Sequence, residues 1–239
     1  CALPILFSAQ DLHAYTDRYI ETMQATGFPG DIVEMDVHKV LGMGELKSFR
    51  DKFEQRWGTE RTIFVWHREE TEQGWRDMTK RYPYVALSIP ELRIVCGRNA
   101  KLLKHFIAKM LTMAKEQNPN IKVHLLGCTQ MNLLEQPHWY SCDSSSWLMA
   151  GKFGVGYLFD GALLKSVSCY DEHYQAEMAR LSPQINARLE QSIGTALTPA
   201  NRNYIMANAL NIWAFSQLNR HLGNKHSEHH TMQSLWASR

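Results

Sequence analysis

The sequence contains few cysteines and no closely spaced pair of them. Five occur among the 239 residues, and the nearest two, Cys128 and Cys142, are fourteen positions apart. This spacing excludes a small disulfide-stapled module and gives no indication of a Cys-x-x-Cys metal site. A reducing compartment fits this use of cysteine best.

The sequence also lacks long apolar runs and a strong excess of one charge. No stretch approaches the roughly 18 consecutive apolar residues of a membrane-spanning helix, and the first residues lack the basic start of a signal peptide. Lysine and arginine together number 26 against 24 acidic residues, so any contact with a nucleic acid would have to be local. Because 44% of the residues are hydrophobic, we expect a globular protein of the cytoplasm that does not contact membranes.

The common phosphate-binding motifs are absent as well. No Gly-x-Gly-x-x-Gly follows the first predicted strand, and no Gly-Lys-Ser/Thr loop occurs in the chain. These absences argue against the common nucleotide cofactors, and we predict that the protein uses no cofactor.

Short apolar runs alternate with amphipathic stretches along the first part of the chain. The runs predict strands at residues 4–8, 31–36, 62–67, 84–89, 122–127 and 139–143. Nearly continuous apolar strands that alternate with helices are typical of a parallel sheet covered by helices. We therefore expect an α/β fold of the (β/α) TIM-barrel type, with an open doubly wound sheet as the alternative.

The predicted strands do not complete a barrel. A complete (β/α) barrel has eight strands, and the sequence displays six, so two strands either precede Cys1 or are too weak to recognise. From Pro183 onward the pattern is helical. The sequence thus predicts a barrel catalytic region at residues 1–182 and a carboxyl-terminal helical extension at residues 183–239 that packs on the barrel.

Polar residues close several of the predicted strands. Asp36, His67 and Asp143 each stand at the end of a strand, where the chemistry of a (β/α) barrel takes place. Asp143 is followed by three serines and suits a nucleophile, a base or a metal ligand, although Asp and Ser are equally favoured as helix caps. We expect these strand ends to converge on one mouth of the barrel.

A glycine-rich stretch at residues 151–156 follows Trp147. Its backbone amides could approach a phosphate or a base closely, with Lys152 on the phosphate and Trp147 stacked on the base. Ordinary core packing and a solvated lysine explain the same residues equally well.

Three segments are similar to motifs of a known family. They are Asp31-Ile-Val-Glu-Met-Asp36, Lys122-Val-His-Leu-Leu-Gly-Cys128 and Tyr140-Ser-Cys-Asp-Ser-Ser-Ser-Trp147. On these segments the chain resembles the tRNA-guanine transglycosylase superfamily, particularly its phage and bacterial members that act on DNA. The resemblance covers roughly residues 5–157 and implies a barrel fold.

The resemblance implies a role for each matching residue. Asp143 would be the nucleophile, and Asp36 would recognise the edge of the guanine. The other residues implied to line the base and substrate site are His67, Ser88, Gly127, Cys128, Ser144 and Trp147. The candidates for contact with the nucleic-acid backbone are Lys152 and Arg98.

The reaction implied by the resemblance is base exchange. A carboxylate displaces guanine to form a covalent glycosyl-enzyme, and a 7-deazaguanine base then attacks that intermediate with retention. The substrate would be DNA in preference to tRNA, in a bacterial or phage-infected cell, and the target nucleotide would leave its stack. A protein partner or a homodimer would add contacts that the near-neutral charge does not provide.

The sequence departs from the family in two places. The usual Cys-x-Cys-x-x-Cys zinc motif is missing, so we predict no metal. The early Asp that serves the family as general base has no clear match, since Phe7-Ser8-Ala9-Gln10 retains only a serine.

Two other functions remain open from the sequence. The first is a metal-dependent barrel hydrolase, whose ligands would be Asp36, His38, His67, His124 and Asp143. The second is a non-catalytic nucleic-acid-binding subunit that keeps the base pocket without the chemistry.

Overall fold

A computed structural model describes residues 8–193 and 202–237 of the chain. The chain is a mixed α/β protein that divides into two units, Cys1–Asp143 and Ser144–Arg239. The predicted region boundary after residue 182 lies inside the helix Glu172–Ile193, whereas the division of the chain falls at residue 144. Among the described residues, no helix is long and apolar enough to cross a membrane.

The first unit alternates strands and helices. Its helices are α1 (Ala9–Ala25), α2 (His38–Leu41), α3 (Met43–Arg56), α4 (Thr71–Arg81), α5 (Ile89–Val95), α6 (Ala100–Gln117) and α7 (Met131–Leu134). Its strands are β1 (Ile32–Val33), β2 (Thr62–Trp66), β3 (Tyr84–Ser88), β4 (Lys122–Leu126) and β5 (Ser141–Cys142). The predicted strand at residues 4–8 lies outside the described residues, apart from Ser8, which caps α1.

The strands of the first unit form one curled parallel sheet. Their order is β1-β2-β3-β4-β5, so every strand pairs with its neighbour in the sequence, and the sheet curls into a half-barrel shape. The prediction of an α/β fold with a parallel sheet is therefore confirmed. All of β2 is buried, as expected for a parallel strand covered on both faces.

The helices cover the sheet through apolar stripes. On α6, Leu103, Ile107 and Met110 recur at helical spacing and are buried. Trp75 of α4 is fully buried, and its indole Nε1–H donates to the carbonyl of Met110 at 2.9 Å. The indole therefore keeps its hydrogen bond inside the core and joins α4 to α6.

A buried ion network joins α3 to the sheet. The Arg50 guanidinium binds the carboxylate of Glu34, with Nε 3.0 Å from Oε2, and that of Glu70, with Nη1 2.6 Å from Oε1. Arg50 Nη2 also donates to the carbonyl of Val65 at 2.7 Å, while the Val65 amide donates to Glu34 Oε1 at 2.7 Å. Charged groups of this kind stay buried only when they are paired.

The second unit contains a hairpin between helices. Its elements are α8 (Ser146–Lys152), β6 (Val155–Phe159), β7 (Leu164–Ser168), α9 (Glu172–Ile193) and α10 (Arg202–Ala237). The two strands are antiparallel, and the sequence did not predict them. The helical region begins at residue 172, earlier than predicted, and Pro183 lies inside α9.

Candidate functional site

The polar residues that end the strands lie along one edge of the sheet. Asp36 follows β1, His67 follows β2 directly, and Asp143 follows β5 directly. Because the five strands are parallel, their carboxyl ends share this edge. Two groups of side chains stand there, one around Asp143 and one around His38.

Asp143 is held by His124 of β4 and by the backbone of Gly127, which directly follows β4. Its Oδ1 accepts the backbone N–H of Gly127 at 2.7 Å and lies 3.3 Å from His124 Nε2. The Asp143 side chain is 59% exposed, so the carboxylate can be reached from solvent. It is therefore oriented by β4 and still open to a ligand.

A chain of hydrogen bonds links His124 to Ser141 and Tyr84. Its Nδ1 lies 2.5 Å from Ser141 Oγ, and Ser141 Oγ lies 2.5 Å from the hydroxyl of Tyr84. If Tyr84 donates to Ser141 and Ser141 donates to Nδ1, the proton of neutral His124 is on Nε2, where it faces Asp143. Tyr84 and Ser141 were not predicted as site residues, although their strands flank β4.

The carboxylate of Asp143 is kept ionised by these partners. Burial alone would raise its pKa, but the hydrogen bonds from His124 and from the Gly127 amide hold the pKa below the ordinary value of an aspartate. An ionised, partly exposed carboxylate at a strand end is the form that a nucleophile or a metal ligand requires.

The backbone conformation at position 127 requires a glycine. Its φ is +65°, and a Cβ on this residue would lie 2.8 Å from Pro90 Cγ. A side chain here would be strained and would meet the first turn of α5. The glycine therefore allows the amide to point at Asp143, which is the contribution of this predicted site residue.

The second group, which we call the His38 cluster, consists of Asp36, His38, His67 and Glu91. His38 Nδ1 donates to Asp36 Oδ1 at 2.6 Å, and its Nε2 lies 3.7 Å from Glu91 Oε1. The imidazole rings of His38 and His67 pack against each other, with centroids 3.7 Å apart and planes tilted by 31°. His38 thus contacts the other three residues.

The histidines of the cluster are buried. His67 has no exposed surface, and within the described part of the chain neither of its ring nitrogens has a hydrogen-bond partner. His38 Nε2 lacks one as well in the same set of residues. Burial, followed by the neighbouring His38, lowers the pKa of His67, which is therefore a neutral imidazole. Asp36 is 60% exposed, so the cluster opens to solvent on its side.

Other predicted residues of the first unit are placed differently. His67 is buried beneath His38 rather than presented to a base, which corrects the expected direct contact. Cys128 is also fully buried, and burial raises the pKa of its thiol to about 11. Ser88 is half-buried at the start of α5. Arg98 is exposed in the turn between α5 and α6, at the far end of α5 from the strand, which separates it from the sheet edge.

Three predicted site residues belong to the second unit. Ser144 Oγ accepts the Ser146 amide at 3.0 Å just before α8, whose N-cap residue is Ser145. Trp147 is half-buried in α8, and its carbonyl accepts Asn211 Nδ2 at 3.0 Å. Lys152 is exposed at the last position of α8.

The glycine-rich stretch is explained in part by packing. Gly156 lies in β6, and a Cβ there would overlap the ring of Tyr174, which is fully buried. Close packing of this ring therefore accounts for Gly156, in place of the expected approach to a phosphate or base.

Glu91 was missed by the sequence reasoning. It follows β3 by three residues and its side chain is only 14% exposed. An acidic residue just after an apolar strand was the available indication.

Comparisons of the chain with protein-family models, curated proteins and solved structures find no match.

Proposed function

We propose that the protein is a base-exchange glycosyltransferase that acts on a nucleic acid and uses Asp143 as its nucleophile. The observation that carries the proposal is the state of Asp143, which is ionised, accessible and oriented by His124 and Gly127 at the carboxyl edge of the sheet. The half-barrel sheet would then be part of a TIM-type barrel, whose active site lies at this edge.

The chemistry requires a carboxylate in this state. Asp143 attacks the anomeric carbon of the target nucleotide, the glycosidic bond breaks, and guanine leaves with the bonding electrons and takes up a proton from water. The incoming 7-deazaguanine then attacks the same carbon through its ring nitrogen, releases the carboxylate and gives its N–H proton to water, so that two displacements give retention. His124 is a positioning residue, because it holds the carboxylate without touching the sugar.

The base would be recognised at Asp36. One of its oxygens accepts from His38, and its 60% exposure leaves the carboxylate open to the N–H groups of a guanine edge. The nucleotide has to leave its stack to reach this edge. DNA is the preferred polymer in this proposal, with tRNA as the second.

Trapping of the covalent intermediate tests the proposal. The protein is incubated with guanine-containing DNA or tRNA and a 7-deazaguanine base, and the mixture is analysed by denaturing gel and mass spectrometry. We expect an adduct on Asp143 that is lost in Asp143→Asn. The matched control is Asp77→Asn, which removes an aspartate from the exposed face of α4. Absence of an adduct and of base exchange with both polymers would overturn the proposal.

A metal-dependent hydrolase is the second candidate, and the His38 cluster favours it. Two imidazoles and two carboxylates can hold an ion that activates water. This alternative predicts hydrolysis that depends on added metal and proceeds without an incoming base. Binding of nucleic acid without either reaction would instead support the non-catalytic subunit.

A further inference from the structure

The His38 cluster contains buried polar atoms that no described residue satisfies. Three imidazole nitrogens, both of His67 and Nε2 of His38, lack hydrogen-bond partners among the described residues. Buried polar groups nearly always have a partner, so a group of this kind calls for a ligand. Two neighbouring histidines with free lone pairs are suited to a metal ion.

We propose that His38 and His67 bind one divalent transition-metal ion with the help of the carboxylates that flank His38, Asp36 on its Nδ1 side and Glu91 on its Nε2 side. One ligand atom from each of Asp36, His38 and His67 lies within 4.8 Å of the others. His38 Nε2 and Glu91 Oε1 are 3.7 Å apart, which is longer than a hydrogen bond. Two ligand atoms that bind one ion at about 2.0–2.2 Å are themselves about 3–4 Å apart, as these are.

The donor set determines the class of ion. Imidazole nitrogen and carboxylate oxygen are ligands of Zn²⁺, Fe²⁺ and Mn²⁺, whereas Ca²⁺ and Mg²⁺ prefer oxygen alone. The surroundings are acidic, since Glu69 also lies close to His38 and Glu91. Two cations act on the cluster: Lys39 lies 3.5 Å from Glu91, and Arg50, which acts on His67, is itself paired with Glu34 and Glu70. The local charge therefore favours a divalent cation.

The hydrogen bond from His38 to Asp36 supports the same assignment. With its proton on Nδ1, a neutral His38 has its lone pair on Nε2, the atom that faces Glu91. A carboxylate bound to the second nitrogen of a metal-ligating histidine is a recurrent arrangement that fixes the ring. Asp36 can therefore act on the ion directly or through His38, and its variant reports on both.

His124 provides a contrast within the same sheet. Both of its ring nitrogens have partners, Ser141 at 2.5 Å and Asp143 at 3.3 Å. Its ring is therefore satisfied by the protein and is not part of the proposed metal site. This separates the His38 cluster from the five-ligand set that the sequence suggested for a hydrolase.

The metal site goes beyond the proposed glycosyl transfer and does not depend on it. An ion bound in the cluster would contact the buried side of the Asp36 carboxylate, while the exposed side of the carboxylate remains open to a base. The ion would thus position Asp36 and would also satisfy His67, which the fold buries.

Direct metal binding tests the inference without any activity assay. The full chain is stripped with a chelator and titrated with Co²⁺ and Zn²⁺, followed by the visible absorption of Co²⁺ and by elemental analysis after gel filtration. We expect one ion per chain and an absorption band typical of nitrogen and oxygen ligands. His67→Gln and Asp36→Asn should each weaken binding by at least about tenfold, and Asp36 is exposed enough for its variant to fold.

Three controls identify the ligands. His105→Gln changes an exposed histidine of α6, and His124→Gln changes the partnered histidine of β4. The triple variant His226→Gln/His229→Gln/His230→Gln removes a histidine cluster of the sequence near the carboxyl end. All three should bind Co²⁺ as the unchanged protein does. The inference is overturned if the unchanged protein binds no stoichiometric ion, if Asp36→Asn and His67→Gln bind normally, or if the triple variant abolishes binding.

The result is independent of the adduct experiment. Metal binding with no adduct on Asp143 would retain the site and remove the glycosyltransferase proposal. An adduct on Asp143 in protein that binds no metal would do the reverse.

Discussion

Replacement of Arg50 by methionine tests how far the buried ion network stabilises the first unit. Arg50→Met keeps most of the alkyl packing but removes the charge that faces Glu34, whose side chain is only 1% exposed. The substitution leaves the Glu34 carboxylate buried without a cation, and it leaves the carbonyl of Val65 without its side-chain donor. The Glu70 carboxylate is destabilised less, because its side chain is 14% exposed and keeps some contact with water.

The expected loss of stability follows from this burial. Removing one partner of a buried ion pair costs about 3–5 kcal/mol. Burial raises the pKa of Glu34 to about 7 even beside Arg50, so without Arg50 the carboxyl must either stay charged without solvation or take up a proton. At about 2–4 °C per kcal/mol for a protein of this size, the midpoint of thermal unfolding should fall by roughly 6–20 °C. This is a large part of the about 5–15 kcal/mol that stabilises a typical domain.

A surface ion pair serves as the matched control. Arg81 binds Glu54 at 2.7 Å, but its side chain is 57% exposed. Arg81→Met should therefore cost no more than about 1 kcal/mol. Urea unfolding followed by circular dichroism compares the two variants, and hydrogen exchange of the Val65 amide reports locally, because that amide donates to Glu34.

A double variant isolates the unpaired charge. In Arg50→Met/Glu34→Gln the carboxylate at position 34 is replaced by a neutral amide, which has no charge to solvate and whose oxygen can still accept the Val65 N–H. Part of the lost stability should return. The reasoning is refuted if Arg50→Met unfolds within about 1 kcal/mol of Arg81→Met, or if the double variant is less stable than Arg50→Met alone.

Three further predictions concern the site and the second unit. Gly127→Ala should cost about 1–3 kcal/mol, because the residue has a positive φ and its Cβ would meet Pro90, and it should slow adduct formation by misplacing the amide that binds Asp143. Protonation of Asp143 should not slow adduct formation at any pH above about 4, the ordinary pKa of an aspartate, because the pKa of Asp143 is lower than that. Rates of adduct formation measured from about pH 4.5 to 8 test this. Gly156→Ala should destabilise the second unit by about 1–3 kcal/mol, seen in urea unfolding, because the methyl would overlap the Tyr174 ring.

Matched glycine controls accompany these variants. Gly97 has a φ of +58° with open space around its Cβ position, so Gly97→Ala carries the backbone strain without the overlap and should leave adduct formation unchanged. Gly44 lies in α3 with open space, and Gly44→Ala should be neutral or stabilising. An unfolding free energy for Gly156→Ala equal to that of Gly44→Ala would contradict the packing argument. A decline in the rate of adduct formation with a midpoint at about pH 6 would contradict the ionised state assigned to Asp143.

The central strands could be predicted because the fold buries them on both faces. β2, β3 and β4 are nearly continuous apolar runs, and local composition is sufficient to reveal a strand of that kind. The hairpin of β6 and β7 was not predicted. Gly156 interrupts the apolar run of β6, and β7 is a mixed segment, Leu-Lys-Ser-Val-Ser, whose pairing depends on its partner strand.

The site residues also differ in whether local sequence or tertiary contacts determine them. The sequence by itself determined that His67 and Asp143 directly follow parallel strands and that Asp36 comes shortly after another, because strand alternation and apolar runs are local properties of the chain. Only the tertiary structure decided that His67 is buried beneath His38 and that Glu91 joins them, since these residues are 24 or more positions from their partners. It also decided that His124 has hydrogen-bond partners while His67 has none among the residues that the structure describes, because such partners are supplied by neighbouring strands and no local pattern records them.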